Sequence, residues 1–270
     1  FEGSLIEVET DTAKGLPSLQ IVGMGSKSID EAKERVRSAI KNSLLDFPAQ
    51  KITINLAPAE LPKDGSLFDL PIAISILVSS GQIKPAVVSS SVFAGELALD
   101  GSIRPIKAAV SIAEIAQGNG YKTLYLPEEN VNQASLVSGI GIVGSKNLKH
   151  LFLHLKKEVP IQAIAISQAA PDNAHPADSP TIDDIFGQES AKRALAIAAA
   201  GHHNLLLTGS PGAGKTMLAK TLPYILPPLS ELEKIAVTKI HSLAGNVIDD
   251  IVQTRPFRSP HHTSSRIALI

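Results

Sequence analysis

Residues Gly209–Thr216 read Gly-Ser-Pro-Gly-Ala-Gly-Lys-Thr and fit the pattern G-x-x-x-x-G-K-[ST] at every fixed position. No other stretch constrains the fold as tightly, because such a loop needs a strand to deliver it and a helix to continue it. Gly209, Gly212 and Gly214 can take positive φ, which turns successive backbone N–H groups inward on an anion. A helix starting near Lys215 aims its N-terminal partial charge at the same anion. In this reading the amides of Ser210, Pro211, Gly212, Ala213 and Gly214 cradle the phosphates of a nucleotide. Lys215 reaches the β- and γ-phosphates, and the Thr216 hydroxyl ligates Mg2+. The flanking sequence agrees: His202–Thr208 reads as a short apolar strand, and a helical run follows the loop.

Upstream, the composition changes abruptly. Pro160, Pro171, Pro176 and Pro180 fall within 21 residues, among many alanines. That density forbids a continuous helix or central strand and favours an extended spacer. The chain therefore divides into a domain over 1–159, a Pro/Ala-rich linker over 160–182 and a second domain over 183–270. Hydrophobic residues make up 44% of the 270 and charged residues 19%, enough apolar material for real cores. Twenty-five Lys and Arg against 26 Asp and Glu leave a formal net charge of -1. Any nucleic-acid surface must then be a local patch. The absence of cysteine excludes disulfides, thiolate zinc sites and cysteine nucleophiles, and is in keeping with a cytoplasmic protein. No apolar run approaches the roughly 18 residues of a membrane span; the longest, Leu67 to Val78, is broken by Asp69 and Pro71. Opening on Phe1 and closing on Arg266–Ile270 as though midway through an element, the sequence reads as a fragment.

The first domain alternates strand and helix signals. Leu5–Glu9 and Gln20–Val22 read as strands, and Ser28–Leu44 as a helix with Ile29, Ala32, Val36, Ala39, Ile40 and Leu44 on one face. Lys51–Leu56 alternates with period two, placing Ile52, Ile54 and Leu56 together. Ile72–Ser79 reads as a buried helix and Val92–Leu99 as a strand entering an Asp100–Gly101 turn. Ala108–Ala116 is another helix, stopped at Gly118, and Thr123–Leu126 another strand. After the spacer, Gln188–Ala200 is an alanine-rich helix. The class is α/β.

Three blocks carry a family resemblance: Lys51–Gly65 with Phe68–Ala73, the phosphate loop, and Arg255–Thr263. In this order, with the spacer between, the chain resembles the magnesium-chelatase-like AAA+ ATPase family of bacteria. One departure is Val22–Ser26, where the family usually reads Val-Gly-Leu-Pro. The resemblance implies an amino-terminal domain similar to the proteolytic domain of Lon, a ribosomal-S5-domain-2-like α/β fold. The start of a P-loop AAA+ α/β sandwich would follow. It also implies ATP and Mg2+ as cofactors. Ile185–Gln188, with Gly187 and Gln188, resembles the segment that covers the adenine base.

The Lon likeness can be tested on the residues that would cut peptides. In that family the nucleophilic serine stands two residues after the Gly of Pro-Lys-Asp-Gly, a position held here by Leu67. The block from Gly95 to Ile106 aligns with the second Lon block and places Val110 where the lysine would be. Ser66 is one residue off and Lys107 three. A leucine cannot be activated by any neighbour, so the domain is not expected to be a protease. It is left as scaffold or nucleic-acid surface, with Lys27, Lys33, Arg35, Arg37 and Lys41 as candidate phosphate contacts. The alternative is an ordinary solvated helix face, since Asp30, Glu31 and Glu34 lie between them.

From Ile251 to Ile270 there is no acidic residue, while Arg255, Arg258, His261 and His262 are present. Pro256 and Pro260 make this a turn-rich loop, and adjacent histidines do not suit a zinc pair on one helix face. The loop presents guanidiniums suited to phosphate or carboxylate, as possible DNA or inter-subunit contacts, or it is a solvated surface loop. His202 and His203 are read as structural. An acidic strand end to hold Mg2+ is missing; Asn246–Asp250 is the only local candidate, and a poor one. The resemblance implies that this motif, the sensors and the arginine finger lie beyond Ile270.

The resemblance implies an ATP hydrolase of a homo-oligomeric, hexameric ring that moves on branched or single-stranded DNA in uptake and recombination, without membrane contact. Rival readings are a chelatase-like ATPase acting on a metal-insertion partner, a nucleotide-gated binding module and, more distantly, a small-molecule P-loop kinase.

Overall fold

The computed structural model describes residues 3–23, 27–63, 65–162, 180–245, 251–261 and 263–264, with the side chains of Lys27, Ser28 and Asp30 excepted. It is a mixed α/β chain that divides into two compact units. One comprises Phe1–Ser167 with Ile235–Ile251, the other Gln168–Lys234 with Val252–Ile270.

In the first unit, the alternation of β-branched residues builds β3 (Lys51–Ala57), whose Ile52, Ile54 and Leu56 are fully buried. β3 is the centre of a three-stranded sheet. β1 (Glu7–Ala13) pairs with it antiparallel and β2 (Ser18–Val22) parallel. A parallel neighbour needs a crossover, which helix α1 (Lys27–Asn42) supplies. Its Ile29, Ala32, Val36, Ala39 and Ile40 recur at helical spacing and all are buried. The stripe expected to reach Leu44 stops short. The helix ends at Asn42, and Leu44 turns to φ 60° with 81% of its surface exposed. A residue at positive φ cannot continue a right-handed helix, so its side chain leaves the core face.

The strand expected over Val92–Leu99 is two strands in different sheets. β4 (Ser91–Phe93) lies in a parallel sheet of order β4-β7-β8 with β7 (Thr123–Pro127) and β8 (Gly141–Ser145). β5 (Glu96–Leu97) instead forms a hairpin with β6 (Ile103–Arg104) around the Asp100–Gly101 turn. Gly95 sits at the break, where a Cβ would stand 2.8 Å from Ile103 Cγ2. Helices α2 (Asp69–Ser79), α3 (Pro85–Val88), α4 (Ala109–Gly118), α5 (Val131–Ala134) and α6 (Leu148–Leu155) fill the remaining length. α2 is apolar nearly all round, as befits a helix buried on most of its surface.

One polar group lies at the centre of this core. Asp69, in the first turn of α2, is fully buried and accepts bonds from Arg35 Nε at 2.8 Å, Arg35 Nη2 at 3.0 Å and the Leu97 N–H at 3.2 Å. The pair joins α1, α2 and β5. Burial pushes the Asp69 carboxyl above its usual range, against the pull of Arg35, while the hydrogen bond to Asp69 raises the guanidinium.

In the second unit, α7 (Glu189–Gly201) and α8 (Lys215–Ile225) pack around Ile185, Leu195 and Leu218. Helix α9 (Glu231–Ala244) opens on a reciprocal cap, Ser230 with Glu233. Past Lys234 it belongs with the first unit, where Ser242 Oγ donates to Gln133 Oε1 at 2.8 Å. The strand expected over His202–Thr208 pairs with no other strand among the described residues, and Leu206 is 85% exposed. An extended segment becomes a ladder only when a neighbour takes its N–H and C=O groups. No helix among the described residues is long and apolar enough to cross a membrane.

Removing one partner of a buried pair leaves an uncompensated charge. Arg35→Ala should therefore lower urea-unfolding stability by about 3–5 kcal/mol at pH 7. Without Arg35 the folded-state pKa of Asp69 rises further above its unfolded value. The stability that a protonated Asp69 allows is then present below the unfolded pKa and lost as pH rises through the folded one. The deficit of Arg35→Ala against wild type should accordingly narrow as the pH is lowered towards 4.

Candidate phosphate-binding site

The loop takes the conformation its glycines permit. Gly209, Gly212 and Gly214 have φ of 153°, 81° and 78°. Gly214 is the left-handed N-cap of α8, and its carbonyl accepts the Leu218 N–H at 2.9 Å. The first amides of α8 have no intrahelical acceptor, so they and the helix dipole remain directed at whatever occupies the loop. Pro211 has no N–H, so the cradle expected from the backbone of residues 210–214 rests on Ser210, Gly212, Ala213 and Gly214 as donors. The Ala213 N–H is already turned on the Ser210 carbonyl at 3.3 Å.

Lys215 folds back over this ring, its Nζ donating to Gly209 O at 2.9 Å and Ser210 O at 2.7 Å. The ammonium thus stands in the loop, held by neutral carbonyls. A phosphate oxygen adds attraction between opposite full charges that a neutral carbonyl lacks, so it is the better partner for the ammonium. Thr216 is exposed one position further along α8, where its hydroxyl is open to a metal ion. The donor set therefore fits a nucleotide polyphosphate with Mg2+.

A second segment lies against the loop. Gly187 and Gln188 both take left-handed φ, 67° and 61°, and Gln188 Nε2 approaches Ala213 O at 3.4 Å. Ile185, two residues before, is buried with Leu195 and with Leu218 of α8. This anchors the segment beside the phosphate loop, while Phe186 is 94% exposed.

In the arginine-histidine loop one of the guanidiniums is engaged within the chain. Arg255 is not a free guanidinium. It grips Glu233 through Nη1 at 3.0 Å and Nη2 at 3.2 Å, and donates from Nε to Pro227 O at 2.8 Å. Glu233 also accepts from the Ser230 N–H and hydroxyl. The Ser230 amide, then Arg255, hold the Glu233 carboxyl down to about 2. The signal was legible, since Ser230–Glu233 fits the capping pattern [ST]-x-x-[DE]. Arg258 and His261 are exposed; His261 Nδ1 meets Thr263 Oγ1 at 2.7 Å in a turn closed by Ser264 N–H to His261 O. His262 and Asn246–Asp250 lie outside the described residues. Among those described, no group of three His, Asp or Glu could hold a metal ion. His202 and His203 belong to the stop of α7: His202 takes φ 52°, and the His203 N–H bonds to Ala198 O.

Two of the five basic residues weighed on α1 are engaged within the chain, Lys41 is exposed, and the Lys27 side chain lies outside the described residues. Arg35 is committed to Asp69, and Arg37 stands 5.4 Å over the Phe47 ring. Of the two residues that the sequence aligns with the peptide-cutting dyad, Val110 is fully buried and Leu67 partly buried. The Ser66 hydroxyl donates to Glu96, a carboxylate already paired with Arg104 at 3.3 Å.

The sequence is similar to known proteins along its whole length. A family model described as subunit ChlI of Mg-chelatase matches residues 8–130, and a second, magnesium chelatase subunit ChlI, matches residues 181–270. The chain is 40% identical over 272 residues to the competence protein ComM of Haemophilus influenzae, covering 100% of this chain and 53% of that protein. It is 42% identical over 266 residues to the uncharacterized protein YifB of Salmonella typhimurium, covering 98% and 52%. A stretch of 56 residues is 46% identical to an archaeal Lon protease of Archaeoglobus fulgidus, 21% of this chain and 9% of that one. The chain spans about half the length of the curated relatives it matches over its whole extent.

With apolar side chains at both dyad positions, casein should remain intact on prolonged incubation with the chain, and Ser66→Ala should change nothing. Cleavage that Ser66→Ala abolishes would contradict this placement of the dyad.

Proposed function

The chain belongs to the magnesium-chelatase-like AAA+ ATPase family that includes ComM and YifB, and on that premise we propose that it is the nucleotide-binding portion of a motor that uses ATP to move on DNA. The work assigned to the motor is branch migration during DNA uptake and recombination. The observation that carries the reading is the Gly209–Thr216 loop, a glycine turn opening directly onto a helix N-terminus with an ammonium inside it.

In this reading Lys215 exchanges its bonds to Gly209 O and Ser210 O for the γ-phosphate and stabilises the charge that develops there during transfer to water. The Ser210, Gly212 and Gly214 amides position the phosphates, and the Thr216 hydroxyl holds Mg2+, which when bound neutralises phosphate charge. Gly187 and Gln188 border the base. The first unit keeps a Lon-like fold without its protease chemistry and serves as scaffold for a cytoplasmic, hexameric ring. With a net charge of -1 the chain meets DNA through local patches, and Arg258, His261 and His262 are the proposed contacts. Arg255 acts indirectly, through the cap of α9. The domain limits proposed are 1–159, 160–182 and 183–270.

The chelatase reading has one point in its favour, the description of both matching family models as a magnesium-chelatase subunit. The two readings separate in a single assay. The ATPase rate of the full-length protein is measured with and without a four-way DNA junction, with Lys215→Ala as the blank. The motor predicts stimulation by the junction that disappears in the variant; hydrolysis indifferent to every form of DNA would contradict it and favour a protein partner.

A further inference from the structure

Helix α6 ends in a reversal that brings the chain back on itself. The Lys156 and Lys157 N–H groups bond to Phe152 O and His154 O, and the Glu158 N–H bonds to Leu153 O at 2.9 Å. Lys157 takes φ 63°, and a left-handed residue just past a helix turns the chain out of the helix axis. The returning segment carries Ile161 to His154, whose Nδ1 accepts the Ile161 N–H at 2.8 Å. The Ile161 side chain packs against the apolar core of the first unit. Ile161 therefore belongs to this unit, although it lies in the Pro/Ala-rich spacer of the sequence, which opens at Pro160.

This bond fixes the state of the imidazole. Because Nδ1 accepts, it carries no proton, and the single N–H of the neutral ring is on Nε2, 3.5 Å from Tyr125 Oη of β7. The Tyr125 ring stands edge-on to the imidazole at 5.7 Å and stacks on Phe93 of β4. Burial raises the Tyr125 pKa, so it faces the imidazole as a neutral phenol. None of the remaining groups favours a cation at His154. His150, one turn earlier on α6, is itself a base, Lys157 begins the return, and Glu158 is taken by Lys156 at 3.0 Å. Among the described residues no carboxylate is paired with His154. Burial, and after it His150, accordingly hold the His154 pKa below its usual value.

An imidazolium has an N–H on both nitrogens and no acceptor left. Protonation of His154 sets one N–H against another at Ile161, and the bond between them is lost. We propose that His154 is a pH-operated latch on the root of the spacer. Neutral, it holds Pro160 and Ile161 on the first unit; protonated, it releases them and lengthens the tether that follows. Since folding depresses the His154 pKa, the hold is complete above about 6.5, the ordinary histidine value, and is lost as the pH falls through the folded-state value. No nucleotide takes part, so the inference is independent of the proposed function.

Amide hydrogen exchange in the full-length protein, at a pH of about 7.5 and of about 5 and taken relative to the intrinsic rate at each, tests the latch. Protection of the Ile161 amide should fall about tenfold at the lower pH, while the Leu151 amide within α6 stays protected. His154→Asn keeps an acceptor near the Nδ1 position and does not titrate, so its Ile161 protection should be the same at both. His154→Phe is a ring without an acceptor and should leave Ile161 unprotected at both, with Leu151 reporting that α6 is folded. Protection of wild-type Ile161 that does not change with pH would overturn the proposal, as would an equal fall in His154→Asn or protection retained in His154→Phe. A fall shared by Leu151 would mean acid unfolding of the whole helix and would overturn it too.

Discussion

The first unit is organised around one carboxylate that has no access to water. Asp69 could not remain in an apolar core as an isolated charge, since desolvation of a lone ion far exceeds the stabilisation a small domain has in reserve. Its position therefore fixes three other things. Arg35 must come from α1 to meet it, the N-terminus of α2 must lie beneath it, and the Leu97 amide of β5 must approach from the side. Replacing the pair with apolar groups could yield equal stability. What the pair does in this structure is tie α1, α2 and β5 together through three bonds to one carboxylate. Arg35 is also one of the five α1 residues weighed as phosphate contacts against a solvated helix face, and in the structure its guanidinium is bonded to Asp69.

The second unit works by the opposite logic. Nothing in the phosphate loop is anchored by a side-chain pair of comparable burial. Its shape comes from backbone conformations open to glycine, and its charge from a helix terminus and one lysine held by neutral carbonyls. Those two carbonyls hold the Lys215 ammonium inside the loop without neutralising its charge. Arg255 and Glu233 stiffen the start of α9 nearby in sequence, which turns an apparent anion-binding arginine into a structural clamp.

How much of this was legible follows from the range over which each signal acts. The Gly209–Thr216 loop is local, eight consecutive residues, and its three glycines take the positive φ their spacing suggests, while Pro211 lacks the amide expected of it. The β3 alternation and the α1 stripe are also local, and Ile52, Ile54, Leu56, Val36 and Ile40 are buried as the pattern requires. The failures are non-local. Asp69 and Arg35 are 34 residues apart, and no periodicity relates them. The break at Gly95 depends on how closely Ile103 approaches, which alternation across Val92–Leu99 cannot reveal. Leu44 obeys helical spacing but lies past the end of the helix. The segment His202–Thr208 has the composition of a strand, yet a strand is a relation between two segments and the described residues supply only one.

The account stands or falls on whether the Gly209–Thr216 loop holds the polyphosphate of a nucleotide. Calorimetric titration of ATP with Mg2+ into the full-length protein and into Lys215→Ala addresses this without any assumption about DNA. Saturable binding to the wild type, weakened at least about tenfold when the ammonium is removed, is the expected result. Equal affinity in the two proteins, or no binding to either, would contradict it.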